Sequence, residues 1–155
     1  MRRASFLLIF LFTFVLFGCD GEEVRRAVIE TKSGAVHAFE LELALTPEEQ
    51  QKGLMFRTKL PENAGMLFFH RVCVPASFWM KNTLLPLDMI FIAADGRIVR
   101  IAEMTEPETL DIHVSGEPVN GILEINGGLS RRLGIGEGDY LRHPWFGPGG
   151  EATCG

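Results

Sequence analysis

Two carboxylates stand inside apolar stretches of the chain, where acid–base chemistry is possible. Asp88 and Glu124 each have an apolar residue on both sides. A carboxyl group in a dry site has a raised pKa and can act as a general acid while a second carboxylate stays ionised. Hydrolysis of a glycosidic bond uses such a pair. We favour the structural alternative, in which each carboxylate pairs with a cation such as Arg57 or Lys81, or accepts backbone N–H groups in a turn.

A second polar group surrounds Trp79. Lys81 and Asn82 follow the indole closely, and Asp88 follows after a proline. An indole can stack on a sugar ring or another flat ligand, while amide and carboxylate groups fix hydroxyl groups. The predicted ligand-binding residues are Arg57 (as a supporting cation), Trp79, Lys81, Asn82, Asp88 and Glu124. If Trp79 faces inward, it is instead a core residue.

The amino terminus has the pattern of an export signal. Arg2 and Arg3 precede an apolar run over 6–17, which is shorter than the about 20 residues that a spanning helix needs. Leu16-Phe-Gly-Cys19 resembles a bacterial lipobox, in which the cysteine is lipidated and becomes the first residue. We predict a signal peptide over 1–18, lipidation at Cys19 and a place on the periplasmic face of the inner membrane. The alternatives are a secretory signal cleaved nearby, giving a secreted or periplasmic protein, or an uncleaved anchor.

The other two cysteines, Cys73 and Cys154, are disulfide candidates because an exported domain meets oxidising conditions. A nucleophilic cysteine is disfavoured, since no activating histidine is identifiable. The four histidines are scattered singly, so no metal site is predicted. No serine elbow and no phosphate-binding loop occurs in the sequence, and no cofactor is predicted.

The charge balance argues against nucleic-acid binding. Without Arg2 and Arg3 the chain has 13 basic and 20 acidic residues, a net charge of −7. Phosphate neutralisation needs clustered lysine and arginine, which the sequence lacks. The predicted partners are therefore the membrane, through the amino terminus, and a small-molecule or saccharide ligand.

Most of the chain alternates between short strands and turns. We predict a tether over 20–26, one β-rich domain over 27–142 and a tail rich in glycine and proline over 143–155. Predicted strands cover 36–45, 65–70, 78–80, 87–93, 97–103, 119–125 and 140–142. Predicted helices cover 47–55, after a capping box of Thr46 and Glu49, and 129–133. Because no regular βαβ alternation occurs, these elements predict an antiparallel sandwich or flattened barrel with two short helices.

Two connections are also predicted. Asp95-Gly96 indicates a two-residue hairpin turn. The polar stretch 105–118 indicates a long loop, either a functional rim or a surface loop.

Several motifs occur in the order found in one family. They are Gly53-Leu-Met-Phe-Arg57, Gly65-Met-Leu-Phe68, Phe78-Trp-Met-Lys-Asn-Thr83, Pro86-Leu-Asp88, Phe91-Ile92 and Leu123-Glu124. Over about residues 40–141 the chain resembles the domain of unknown function 192 family. The resemblance implies a β-rich, sandwich-like fold in a protein that is exported or membrane-linked. It implies no established activity and no catalytic residues.

Three functional hypotheses follow. The first is an exported, lipid-anchored protein that binds a small molecule, a saccharide or an envelope component. The second is a hydrolase that uses Asp88 and Glu124 as an acid–base pair. The third is a scaffold whose sheet edge or 105–118 loop binds a protein partner in the envelope.

Overall fold

A computed structural model of the chain describes residues 24–154. The predicted signal peptide, Cys19 and the start of the predicted tether lie outside them. The described chain forms one seven-stranded sheet curled into a half-barrel, with two short helices, so the predicted β-rich class is confirmed. The elements are β1 (Arg26–Glu30), β2 (Val36–Ala44), α1 (Pro47–Lys52), β3 (Ala64–Phe78), β4 (Leu87–Ile92), β5 (Ile98–Thr105), β6 (His113–Asn126), α2 (Leu129–Leu133) and β7 (Tyr140–Arg142). Neither described helix is long and apolar enough to cross a membrane.

The sheet has the order β5-β4-β6-β3-β2-β1-β7. Strand β2 pairs with β3 in parallel, whereas the other neighbouring strands pair antiparallel. This one pair differs from the predicted antiparallel arrangement because α1 lies in the connection between β2 and β3, and a parallel pair needs such a crossover. The crossover places α1 beside the strands that carry the candidate site.

The two edge strands meet at one end of the sheet. The amide of Ile98 donates to the carbonyl of Asp139 at 2.8 Å, and the amide of Leu141 donates to the carbonyl of Gly96 at 2.8 Å. An exposed strand edge presents unpaired backbone groups to other chains. These hydrogen bonds satisfy some of the backbone groups at both sheet edges and stabilise the curved shape of the sheet.

Helix α1 begins as predicted and ends earlier. The Thr46 hydroxyl accepts from the Glu49 amide at 3.2 Å, and the Glu49 carboxylate accepts from the Thr46 amide at 2.9 Å. The helix stops at Lys52, three residues before the predicted end at position 55, because Gly53 leaves the helical conformation with φ 46° and ψ −135°. The chain then returns toward the sheet.

Three predicted boundaries are wrong, since strand pairing overrides local sequence signals. Strand β3 continues to Phe78 through Cys73 and Pro75, where the sequence predicted a link and a new strand. Irregular pairing with β6 at 69–77 accommodates the proline, as proline is tolerated at bulges. Strand β6 starts at His113, so the predicted 105–118 loop shortens to 106–112.

The hairpin between β4 and β5 is present, with a turn one residue longer than predicted. The amide of Ala93 donates to the carbonyl of Arg97 at 3.0 Å, which leaves residues 94–96 between them.

The two faces of the sheet bury separate clusters. Register pairs Asp88 with Ile125 and Met89 with Glu124 on the adjoining strands β4 and β6. Since paired residues point to the same face and successive residues to opposite faces, Asp88 and Glu124 lie on opposite faces. The α2 face includes Leu67, Ile90, Leu123, Ile125 and Leu129. The opposite face, which borders an open cleft and is called the cleft face, includes Leu54, Met66, Phe68, Met89 and Ile122.

The predicted tail packs against the sheet. Phe146 is buried, and its ring lies 5.6 Å from that of Phe69. The fully buried Asn120 side chain donates toward carbonyl oxygens on both β3 and Thr153, at 3.0–3.1 Å. A disulfide joins Cys73 to Cys154, whose Cα atoms are 5.1 Å apart. The tail is therefore fixed to the middle of β3.

We expect loss of this disulfide to lower the free energy of unfolding by roughly 4 kcal/mol, since a crosslink across a long loop restricts the unfolded chain. The two cysteines are 81 residues apart. Urea unfolding of oxidised wild type, reduced wild type and a Cys73→Ser/Cys154→Ser variant measures the effect. Equal stability of the oxidised protein and the double variant would contradict the prediction.

Candidate functional site

An open cleft of about 530 Å³ lies on the cleft face, between α1 and the second half of β3. Its aromatic lining residues are Phe68, Phe78 and Trp79, and its titratable ones are Lys52, His70 and Glu124. Ile112, from the segment between β5 and β6, also lines it. The volume falls within the range of small-molecule sites, which combine apolar walls with a few polar groups.

Glu124 is the polar group in the floor of this cleft. It is 5% exposed, and no group within residues 24–154 donates a hydrogen bond to its carboxylate or forms an ion pair with it. Burial raises the pKa of Glu124 from 4.5 to about 8, because an ionised carboxylate is poorly solvated there. At neutral pH the group is therefore largely protonated and offers both a hydrogen-bond donor and an acceptor.

Gly53 keeps the space above Glu124 open. A Cβ at this position would lie 3.2 Å from the Phe68 ring and 3.9 Å from Glu124 Oε2. The backbone here also has φ 46°, a conformation that side chains disfavour. A larger residue would fill the gap between the end of α1 and the carboxyl group.

The aromatic wall of the cleft is accessible. The rings of Phe68 and Phe78 meet edge to face, 5.0 Å apart. Trp79 is 45% exposed, so it is not a core residue. Lys81 Nζ lies 5.3 Å from the centre of the Trp79 ring, within the range of cation–π attraction. The indole face can therefore hold a cation.

Asp88 is fully buried on the α2 face, where its oxygens accept four hydrogen bonds. The amides of Met104 and Gly128 donate to Oδ1 at 2.8 Å, and the amide and hydroxyl of Ser130 donate to Oδ2 at 2.8 and 2.5 Å. The carboxylate thus fixes the start of α2 to the end of β5. This is the structural role that the sequence favoured for it.

The structure does not bring the proposed acid–base pair together. Asp88 pairs with Ile125 and Glu124 pairs with Met89, so the two carboxylates point to opposite faces of the sheet. The hydrolase hypothesis therefore retains a single carboxylate in the cleft.

Arg57 and Asn82 lie outside the cleft lining. Arg57 makes a two-pronged ion pair with Glu42 at 2.5 and 2.6 Å, which lowers the pKa of Glu42. Asn82 turns the chain with φ 56°, and its carbonyl accepts from the Phe56 amide at 2.8 Å. Of the six predicted ligand-binding residues, Glu124 and Trp79 line the cleft and Lys81 contacts the indole.

Sequence reasoning missed Lys52, His70 and Phe78 as lining residues. Strand alternation from Phe68 places His70 on the same face, so the pattern of β3 could have found it. Burial lowers the pKa of His70 below its ordinary value, and its ring is therefore uncharged at neutral pH. No group of three or more His, Cys, Asp or Glu residues in the described chain could hold a metal ion.

Residues 28–143 match the model of the domain of unknown function 192 family (DUF192), described as an uncharacterised ACR. The chain belongs to the DUF192 family. No curated protein matches it. The family motifs of this chain have two roles in the structure. The motifs that contain Gly53, Trp79 and Glu124 line the cleft, whereas the motif that contains Asp88 fixes the start of α2.

Crystal structures of bacterial proteins resemble this DUF192 chain, among them the following two. One, from Sinorhizobium meliloti, is described provisionally as a transcription regulator; it is 44% identical, has a TM-score of 0.75, and the match covers 76% of this chain and 92% of that one. The other, a protein of unknown function from Novosphingobium aromaticivorans, is 41% identical with a TM-score of 0.74, and the match covers 81% of this chain and 89% of that one.

Proposed function

We propose that this DUF192 protein is an exported, lipid-anchored protein that binds a small molecule in the cleft above Glu124. The observation that carries the proposal is the buried carboxyl group without a partner at the floor of an open, aromatic-lined cleft. A buried polar group without a hydrogen bond costs free energy. A ligand that bonds to Glu124 would recover that cost.

The contrast with Asp88 supports a binding role. Both carboxylates are buried on neighbouring strands of the same sheet. Asp88 has four donors and stabilises the fold, whereas Glu124 has none among the described residues. A largely buried carboxyl group that has no partner among the described residues, and that faces an opening, is a candidate ligand-binding group.

Two features support export and anchoring. Arg2, Arg3 and the apolar run before Cys19 have the pattern of a lipoprotein signal. The Cys73–Cys154 disulfide is of the kind that forms and persists in oxidising compartments. We therefore place the protein on the periplasmic face of the membrane.

The provisional description of the Sinorhizobium structure as a transcription regulator is not part of this proposal. The chain has 15 basic and 20 acidic residues, a balance that disfavours binding to phosphate backbones.

We expect Trp79→Ala to weaken binding of a cleft ligand about fivefold or more while leaving the fold intact, because an aromatic contact in a binding site contributes on the order of 1–3 kcal/mol. A thermal-shift screen of the mature chain against saccharides, cell-wall fragments and small metabolites identifies the ligand. Leu84→Ala is the matched control, since Leu84 is similarly exposed at 42% and lies outside the cleft lining.

A compound that stabilises wild type and the Leu84→Ala variant, but not Trp79→Ala, would support the proposal. If no compound stabilises the wild type, or if Trp79→Ala responds as the wild type does, ligand binding in this cleft is refuted. The scaffold hypothesis, with residues 106–112 as the contact, would then be the one to test.

A further inference from the structure

We propose that the ligand of this cleft carries an ammonium group, which binds between the Glu124 carboxylate and the Trp79 ring. The inference rests on the proposed function of the cleft and adds the chemical class of its ligand. Its basis is the combination of a carboxylate without a counter-ion and aromatic side chains in one opening.

The cleft brings a carboxylate together with aromatic rings. Protein sites for organic cations use ring faces, whose electron density attracts positive charge, together with acidic groups. Here Phe68, Phe78 and Trp79 line the same cleft as Glu124. Lys81 Nζ lies 5.3 Å from the centre of the indole, within the range of cation–π attraction, so an ammonium ligand would replace Lys81 at this ring.

Few charged side chains face Glu124 among the described residues. Lys52 and His70 are the other titratable side chains that line the cleft, and Lys81 lies against the Trp79 ring. Burial lowers the pKa of His70 and so favours its uncharged form. Glu42 lies on the same face, one strand beyond Met66, and Arg57 neutralises it. Neither Lys52 nor Arg57 forms an ion pair with Glu124, so the position of its counter-ion is open to a ligand.

Binding of an ammonium group changes the protonation of Glu124. Before binding, Glu124 carries a proton at neutral pH. An ammonium ligand pairs with the ionised carboxylate, and the displaced proton passes to solvent. Below the pKa of Glu124, the ionised fraction of this carboxyl group rises about tenfold per pH unit. Affinity for the cation therefore rises with pH and levels off above about 8.

The experiment compares three probes of similar shape and different charge: 2-phenylethylammonium, 2-phenylethanol and phenylacetate. Calorimetric titration of the mature chain at pH 6, 7 and 8, in two buffers of different ionisation enthalpy, reports affinity and proton release. We expect the ammonium probe to bind best, with affinity rising roughly fiftyfold from pH 6 to pH 8 and about one proton released at pH 7.

Two variants assign the effect to Glu124. Glu124→Gln keeps the shape of the side chain and should lose the pH dependence and at least tenfold in affinity for the ammonium probe. Glu106→Gln makes the same chemical change on an exposed side chain and should behave as the wild type.

The outcomes separate the inference from the proposed function. Tighter binding of the alcohol or the acid, lost in Trp79→Ala, would overturn the ammonium class and leave a ligand site in place. Ammonium binding that is independent of pH and unchanged in Glu124→Gln would also overturn the inference. Absence of binding by all three probes at millimolar concentration would overturn the ammonium inference, whereas the proposed function is refuted only by the thermal-shift screen.

Discussion

Glu124→Gln is expected to make the protein more stable than the wild type at pH 8, by up to roughly 4 kcal/mol, with no advantage near pH 4.5. The pKa of Glu124 is raised from 4.5 to about 8 in the folded chain. Between these values the folded state holds a proton that the unfolded chain has lost. The free energy of unfolding of the wild type therefore falls as pH rises through this window, and the glutamine variant lacks that loss.

Urea unfolding at pH 4.5, 6 and 8 measures the difference, with Glu106→Gln as the control for removing an exposed carboxylate. The stability of the control should follow the wild type at each pH. If the curves of wild type and Glu124→Gln stay parallel from pH 4.5 to pH 8, the carboxyl group is not buried without a partner, and the argument for a ligand loses its basis.

This predicted gain in stability bears on function. If Glu124→Gln stabilises the free protein, then Glu124 lowers stability, and its role lies in binding rather than in folding. The ammonium ligand proposed for the cleft would reduce the same pH-dependent loss in the wild type, because it supplies the missing counter-ion. Stability and ligand affinity would then change in opposite directions in Glu124→Gln.

Local patterns predicted much of the fold. The Thr46–Glu49 capping box, the hairpin before β5 and α2 all depend on residues close in sequence, and each is present. The continuity of β3 was not predictable in this way. Its second half contains Cys73 and Pro75, which disfavour a strand locally, and pairing with a strand about 40 residues further along the chain decides its conformation.

The roles of the two carboxylates show the same limit. Asp88 and Glu124 have equally apolar neighbours in the sequence, so local context cannot separate them. Strand register places one toward α2 and the other toward the cleft. The donors of Asp88 come from positions 16 to 42 residues away, and no short motif specifies them.

Asp88→Asn is expected to destabilise the protein by roughly 3–5 kcal/mol, since it disrupts a buried carboxylate that satisfies several donors. An asparagine amide replaces one acceptor oxygen by an N–H donor. Oδ1 faces the amides of Met104 and Gly128, and Oδ2 faces the amide and hydroxyl of Ser130. Either orientation of the amide therefore leaves at least one buried backbone N–H without an acceptor.

The measurement is urea unfolding at pH 7, with Asp111→Asn as the control because Asp111 is exposed. Binding distinguishes this structural role from a role in the site. Under conditions where Asp88→Asn remains folded, its affinity for a cleft ligand should equal that of the wild type, because the residue lies on the opposite face of the sheet from Glu124. A variant that keeps its stability but loses binding would reverse the assignment and place Asp88 in the site.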